Sequence, residues 1–389
     1  MSKGSNRLSF HLSMRREPLT IALLTGLTIV SFSFVAGLSR LYFAQQESLA
    51  VRWSTRGAAA LKANNFSDAV TDFRTALLYS RGNDEYQLRL SEALLGLGRK
   101  NPDYIDEAYV YLINLWDRQP DNGRVNLELA RIAASRGTMD RAIRYYHNAI
   151  YATWPASQES ERQKARLELI ELFLRSHANA QAQSELIALA ANLGDDPAER
   201  AHVGDLFMQA QDYSQALAQF ELSLRGNPRS AIALAGAGRA AFERSRYLLA
   251  RRYLARAVEL DPGDKDSKDR LRIVDLVLEL DPFRQQIRAA ERNRVVVKDF
   301  ALAGTRIDTC QLPGAGPPTA ASTQRQALAT TWGKLKPKVT EWRLRRNPDL
   351  VNTAMELVFD IERQTVGACG PQTDSDTALI LIANMHEGI

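Results

Sequence analysis

From Pro18 to Ser39 the chain carries no charge, reading PLTIALLTGLTIVSFSFVAGLS. At about 1.5 Å per residue a helix over this run spans about 33 Å, enough to cross a hydrocarbon core of about 30 Å. Beyond it the pattern changes to apolar residues at helical spacing, overlaid by a longer period. Gly204, Tyr213, Ala216 and Pro228 recur as Gly238, Tyr247, Ala250 and Pro262, each pair 34 positions apart. A fixed period of about 34 residues with small residues at set places predicts a stacked array of helix–turn–helix units.

The two best units are 197–230 and 231–264, carried by Gly204, Phe207, Tyr213, Ala216, Phe220 and Pro228 in the first. Gly238, Tyr247, Ala250, Ala257 and Asp261-Pro262 carry the second. A unit near Ala50 holds Trp53, Gly57, Phe66, Ala69, Phe73 and Ala76, and another from about Gly123 holds Ala130, Gly137, Ala142, Tyr146 and Ala149. Residues 84–120 fit, with Ala108 and Pro120 aligned, if about five residues around Arg99–Asp103 are inserted in the inter-helix turn. Residues 163–196 are degenerate but keep Leu169, Phe173, Ala182, Leu186 and Leu189, and Asp266–Leu280 reads as an amphipathic capping helix ending at Asp281-Pro282. This spacing resembles the tetratricopeptide repeat (TPR) family over about 50–282. The resemblance implies an all-α solenoid of about six repeats plus a cap, with the aromatics as core filler rather than a ligand box.

In TPR proteins the first helix of each pair lines a concave face. The resemblance therefore places Arg131, Glu171, Asp205 and Arg239 at equivalent points of a groove, with Arg124, Glu168, His202, Met208 and Glu243 beside them. The lining alternates in sign, which suits an extended peptide or partner helix better than a phosphate polymer. Family members that clamp a chaperone's C-terminal carboxylate use Lys, Asn and Arg where this chain has Ser54, Ala58, Ala201 and Ala235, so that clamp is not expected. Arg244, Arg246, Arg251, Arg252 and Arg256 crowd the sixth unit, where a solvated helix face competes with an acidic partner or lipid headgroups.

Lys3, Arg7, Arg15 and Arg16, opposed by Glu17, precede the apolar run; Arg40 and Arg52, opposed by Glu47, follow it. The positive-inside bias puts residues 1–17 in the cytoplasm and makes 18–39 a signal anchor, with the bulk of the chain periplasmic at a bacterial inner membrane. The alternative is a signal peptide cleaved near Val35-Ala36-Gly37, although the apolar region is longer than such peptides need. Ala22, Gly26, Ser33 and Gly37 share one small-residue face suited to close packing against another membrane helix.

After Pro282 a helix over Phe283–Ile307 leads to Cys310 and the break LPGAGPPTAAS, so 283–318 reads as a connecting helix and linker. Residues 319–389 read as a small helical C-terminal domain of no recognised family. Its expected helices are Thr323–Arg346, Pro348–Thr365 and Asp376–Met385, with a hard turn at Gly367–Pro371. Cys310 and Cys369 each adjoin a turn, and an exported location favours a bridge between them.

Composition narrows the function. Hydrophobic residues at 45% and charged residues at 24% are ordinary for a folded chain. Lys+Arg at 50 barely exceeds Asp+Glu at 45, a net of +5, and the signs are interspersed, so no nucleic-acid partner is expected. His11, His147, His177, His202 and His386 are scattered, no C-x-x-C occurs, and no nucleophile or phosphate-loop motif is present. The expectation is a non-enzyme without cofactor or metal: a membrane-anchored scaffold for protein partners in the cell envelope. Alternatives are a stoichiometric subunit of a larger membrane complex, or a presenter of a glycan-binding or catalytic C-terminal domain.

Overall fold

The computed structural model describes residues 17–98, 101–154, 156–310 and 320–386. The N-terminal tail up to residue 16, Arg99 and Lys100 of the expected insertion, and residues 311–319, with the expected start of the C-terminal domain at 319, lie outside the described residues. The described chain is helical, with no strand among the described residues. It divides into two compact units, one ending at Leu172 and the other beginning at Phe173.

In the first unit, α1 (Glu17–Lys62) pairs with α2 (Phe66–Tyr79), α3 (Asp84–Gly98) with α4 (Asp103–Arg118), and α5 (Gly123–Ser135) with α6 (Met139–Tyr151). α7 (Glu159–Arg175) starts four residues ahead of the expected 163 and contains the division between units. α1 is not limited to the apolar run. It continues as the first helix of the first repeat, with no Gly or Pro between Leu38 and Arg56 to interrupt it. The side chains of its apolar part are exposed, Phe32 at 78% and Leu41 at 70%, whereas Ala50 further along is fully buried.

The second unit contains α8 (Asn179–Ala190), α9 (Pro197–Gln209), α10 (Tyr213–Gly226), α11 (Ala231–Glu243), α12 (Tyr247–Leu260) and α13 (Lys265–Leu280). Short polar residues start four of these helices. Asp196, Asp212, Ser230 and Asp264 each accept a backbone N–H of the first turn, which satisfies a donor that has no intrahelical partner. The small residues of the period are explained by packing. A Cβ at Gly236 would lie 2.3 Å from the Phe220 ring, and one at Gly238 would lie 2.6 Å from Leu254. Phe207 and Phe220 are fully buried, each worth about 2–3 kcal/mol of apolar transfer. Five turns inside the repeats share one conformation: Asn64, Gly137, His177, Gln211 and Ser245 all have positive φ, between 55° and 69°.

Past the repeats the structure corrects several expected boundaries. The helix expected from Phe283 begins at Ala289 (α14, Ala289–Thr309), after turns in which Gln286 has φ 64°. The single helix expected over Thr323–Arg346 is two, α15 (Ala320–Leu335) and α16 (Glu341–Arg346). Pro337 causes the break, because it has no N–H and disfavours helical backbone at Lys336. α17 (Asp349–Cys369) runs through Gly367, so the hard turn begins only at Gly370, φ 62°. α18 (Asp374–Met385) starts two residues early because Thr373 and Asp376 form a reciprocal capping box.

α14 does more than connect. Val296, Phe300 and Ala303 join Val351, Met355, Val358 and Ile361 of α17 and Leu379 and Ile382 of α18 in one buried cluster. That cluster is continuous with Leu254, Val274 and Val277.

Candidate functional site

On α3, Glu85, Arg89 and Glu92 follow at i, i+4 and i+7, and on α5 Arg124, Glu128 and Arg131 do the same with opposite signs. Residues at such spacing share one helix face. The two faces meet: Arg124 lies 3.1 Å from Glu85 and also bonds Glu92, while Arg89 bridges Glu85 at 2.8 Å and Glu92 at 3.2 Å. Arg131 continues the ladder, 2.6 Å from Glu128 and 2.6 Å from Glu168 of α7, whose carboxylate also accepts the Tyr146 hydroxyl at 3.1 Å. Burial pushes the Glu128 carboxyl up to about 7, with the nearby Glu92 and Glu168 adding to the rise and Arg131 opposing it. Burial acts to lower Arg131, but its bonds to Glu168 and the charge of Glu128 hold it above its ordinary value.

The second unit repeats the scheme more sparsely. Asp205 of α9 meets Arg239 of α11 at 3.0 Å, and Glu243 of α11 meets Arg270 of α13 at 3.2 Å, which in turn holds Asp266 at 3.0 Å. Ile232, 68% exposed, and Ala235 line a cavity of about 400 Å³ with Arg239, Asp264 and Arg270. A cavity of about 570 Å³ in the first unit is lined by Glu85, Leu88, Arg124 and Trp154.

Of the groove candidates, Arg124 thus pairs with Glu85 and Glu92, Arg131 with Glu128 and Glu168, Asp205 with Arg239, and Glu243 with Arg270. Met208 is half-buried on α9, while Glu171 on α7 and His202 on α9 are exposed. Sequence reasoning did not single out Glu85, Arg89, Glu92, Glu128 or Arg270. The signal was present as mirrored charge triplets on α3 and α5, 39 positions apart.

Cys310 and Cys369 are joined by a disulfide with their Cα atoms 5.9 Å apart. Beside it Arg306, 2% exposed, donates to the Thr365 hydroxyl at 3.1 Å and to the Gly370 carbonyl, and lies 3.4 Å from Asp376. Neither carboxylate oxygen of the fully buried Glu362 has a hydrogen-bond partner, and burial pushes this group up to about 8, with Asp376 adding to the rise and Arg306 opposing it. Gly26 and Gly37, with Ser33 on the same helix, are exposed, and a Cβ at either glycine would meet nothing within 4 Å.

A tetratricopeptide repeat family model matches residues 55–100 and 204–265. The chain carries tetratricopeptide repeats. Among solved structures it is similar to the C-terminal part of a TPR repeat-containing protein from Cytophaga hutchinsonii, at 13% identity over 84% of this chain and 98% of that one, TM-score 0.44. It is also similar to pilF of Pseudomonas aeruginosa, at 18% identity over 58% of this chain and 97% of that one, TM-score 0.41. A third is the TPR2AB domain of yeast Sti1 in its pHSP90 complex, at 15% identity over 75% and 98%, TM-score 0.30. No curated protein matches the chain. TPR proteins generally mediate protein–protein interaction and are typically scaffolds rather than catalysts. Among the described residues one helix, α1, is long and apolar enough to cross a membrane, and its C-terminal part is the first helix of the first pair.

Proposed function

We propose that this TPR chain is a membrane-tethered scaffold that binds a protein partner in the bacterial cell envelope, without catalysis or a cofactor. The observation that carries it is α1, whose exposed apolar segment leads without a break into the first TPR helix. A bilayer accommodates such a surface, and water does not. The Cys310–Cys369 bridge supports an oxidising, periplasmic location for everything after residue 40. The mixed-charge faces around Arg124, Arg131, Glu168 and Glu171, and around Asp205, Met208, Arg239 and Glu243, offer an extended peptide or helix paired sites for both signs of side chain.

Topology is the decisive test. Asp195 lies exposed in the loop between α8 and α9. Asp195→Cys in the full chain reacts with a membrane-impermeant maleimide in spheroplasts under this proposal. Labelling only after the inner membrane is opened overturns it.

A second reading, a stoichiometric subunit of a membrane complex, is favoured by the open face of Ala22, Gly26, Ser33 and Gly37. Under it, Gly26→Leu with Gly37→Leu releases the chain from co-purifying membrane proteins in mild detergent; unchanged co-purification leaves α1 a passive tether. No arrangement among the described residues of 320–386 favours a glycan-binding or catalytic domain.

A further inference from the structure

Residues 334–346 of the second unit, KLKPKVTEWRLRR, hold six cations against the single carboxylate of Glu341, a net of +5 (six less one). The whole chain has a formal net charge of +5, so the remainder sums to zero. A charge equal to the whole chain's excess is gathered in this one short strap.

The fold points these side chains outward. Val339, 6% exposed, and Leu344, 1% exposed, anchor the strap in the core. Trp332 fixes its near end by donating its indole N–H to the Phe300 carbonyl at 2.8 Å and stacking on that ring. With Leu344 turned inward, Trp342, Arg343, Arg345 and Arg346 of α16 face solvent, and Lys334, Lys336 and Lys338 are exposed ahead of them. Trp342 is 58% exposed, with the Arg346 guanidinium 4.1 Å from its ring centroid. None of the six cations has an ion-pair partner among the described residues, in contrast to the ladders on α3, α5 and α11.

We propose that this strap is a membrane-surface contact that takes the anionic headgroups of phospholipids. Clustered Lys and Arg are drawn to an anionic bilayer, each worth about fivefold in partitioning. An exposed Trp adds an apolar body with a polar edge, the combination favoured at the headgroup level. A bilayer as occupant rests on the reading of α1 as a membrane span, which keeps that surface at hand; a soluble polyanion or acidic protein would match the charge alone.

The test uses the full chain reconstituted in vesicles of phosphatidylcholine alone or of equal parts phosphatidylcholine and phosphatidylglycerol, each with a brominated acyl chain. The apolar run holds no Trp, so fluorescence quenching reports the folded units. The expected result is quenching in the mixed vesicles that is absent in neutral vesicles, absent in Trp342→Phe, and reduced at least about tenfold in Lys336→Gln/Lys338→Gln/Arg343→Gln/Arg346→Gln. It also fades as salt shortens the screening length from about 10 Å at 0.1 M to about 3 Å at 1 M. Equal quenching in both vesicles, or an unchanged signal in Trp342→Phe, overturns the proposal. So does a Trp342 response to an acidic peptide or oligonucleotide without one to the mixed vesicles. Failure to co-float with neutral vesicles overturns the membrane span instead, and lipid-dependent co-flotation lost in the fourfold variant then still reports the strap.

Discussion

Arg131 on α5 grips Glu168 on α7 with both arms of its guanidinium, Nη2 at 2.6 Å from Oε1 and Nε at 3.0 Å from Oε2. The pair connects the first helices of two successive repeats, and Glu128 lies on the opposite side of the same guanidinium at 2.6 Å. The bidentate geometry adds strength, while partial exposure of both side chains screens it. We expect Glu168→Gln to lower the unfolding free energy by about 1 kcal/mol, and Arg131→Gln by about 2 kcal/mol because it strands two carboxylates. Urea unfolding of the single and double variants checks this. A coupling below about 0.5 kcal/mol would make the ladder a surface ornament rather than a rivet.

A second expectation concerns pH. Glu362 is raised from 4.5 to about 8 by burial, with Asp376 adding to the rise, and Asp299, fully buried and without a partner for either carboxylate oxygen, is raised well above its usual range by the same cause. A carboxyl with a raised folded pKa binds its proton more tightly in the native state. Its contribution is therefore complete below the unfolded value and is lost as pH climbs towards the folded one. The second unit should lose of the order of a few kcal/mol between pH about 5 and about 8. Glu362→Gln, which stays neutral, flattens that slope. Denaturation midpoints measured across the range decide it, and a slope unchanged in Glu362→Gln refutes the assignment.

How much of this was legible beforehand follows from the range of each interaction. The repeat was visible because Gly204 and Gly238 answer local contacts, Phe220 and Leu254, that recur with every unit. The charge ladder was half visible. The template reaches Arg124, Arg131 and Glu168, but Glu85 and Glu92 lie 39 and 32 rather than 34 positions from their shared partner Arg124 and fall out of register with it. The break at Pro337 is local, but the helical periodicity on either side of it masks the stop. Arg306, bonded to Thr365 59 positions away, depends on tertiary packing that no local pattern encodes.

The disulfide closes a loop of 59 residues between α14 and the end of α17. On the chain-entropy model such a bridge contributes about 4 kcal/mol by restricting the unfolded chain. Replacing both cysteines with serine should lower the stability of the second unit by about that amount and leave the α3–α5 ladder in the first unit intact. Hydrogen exchange read separately over 84–131 and 289–385 distinguishes the two. Equal loss of protection in both would contradict a local bridge.

The repeat turns give the last expectation. Ser245 and Gln211 occupy left-handed backbone, φ 55° and 61°, where Gly137 serves in the third repeat with φ 69°. A side chain in that region brings Cβ close to the following carbonyl oxygen and costs roughly 1–2 kcal/mol, whereas glycine enters it freely. Glycine also enlarges the unfolded ensemble, which takes back part of the gain. The net for Ser245→Gly should be a stabilisation of about 0.5 kcal/mol. Gln211→Gly should gain less, because the Gln211 side chain accepts a hydrogen bond from Asn179 at 3.0 Å and the substitution removes it. Thermal unfolding of the two variants under one condition tests both the sign and the order. If either glycine destabilises, side-chain contacts outweigh backbone strain at that turn.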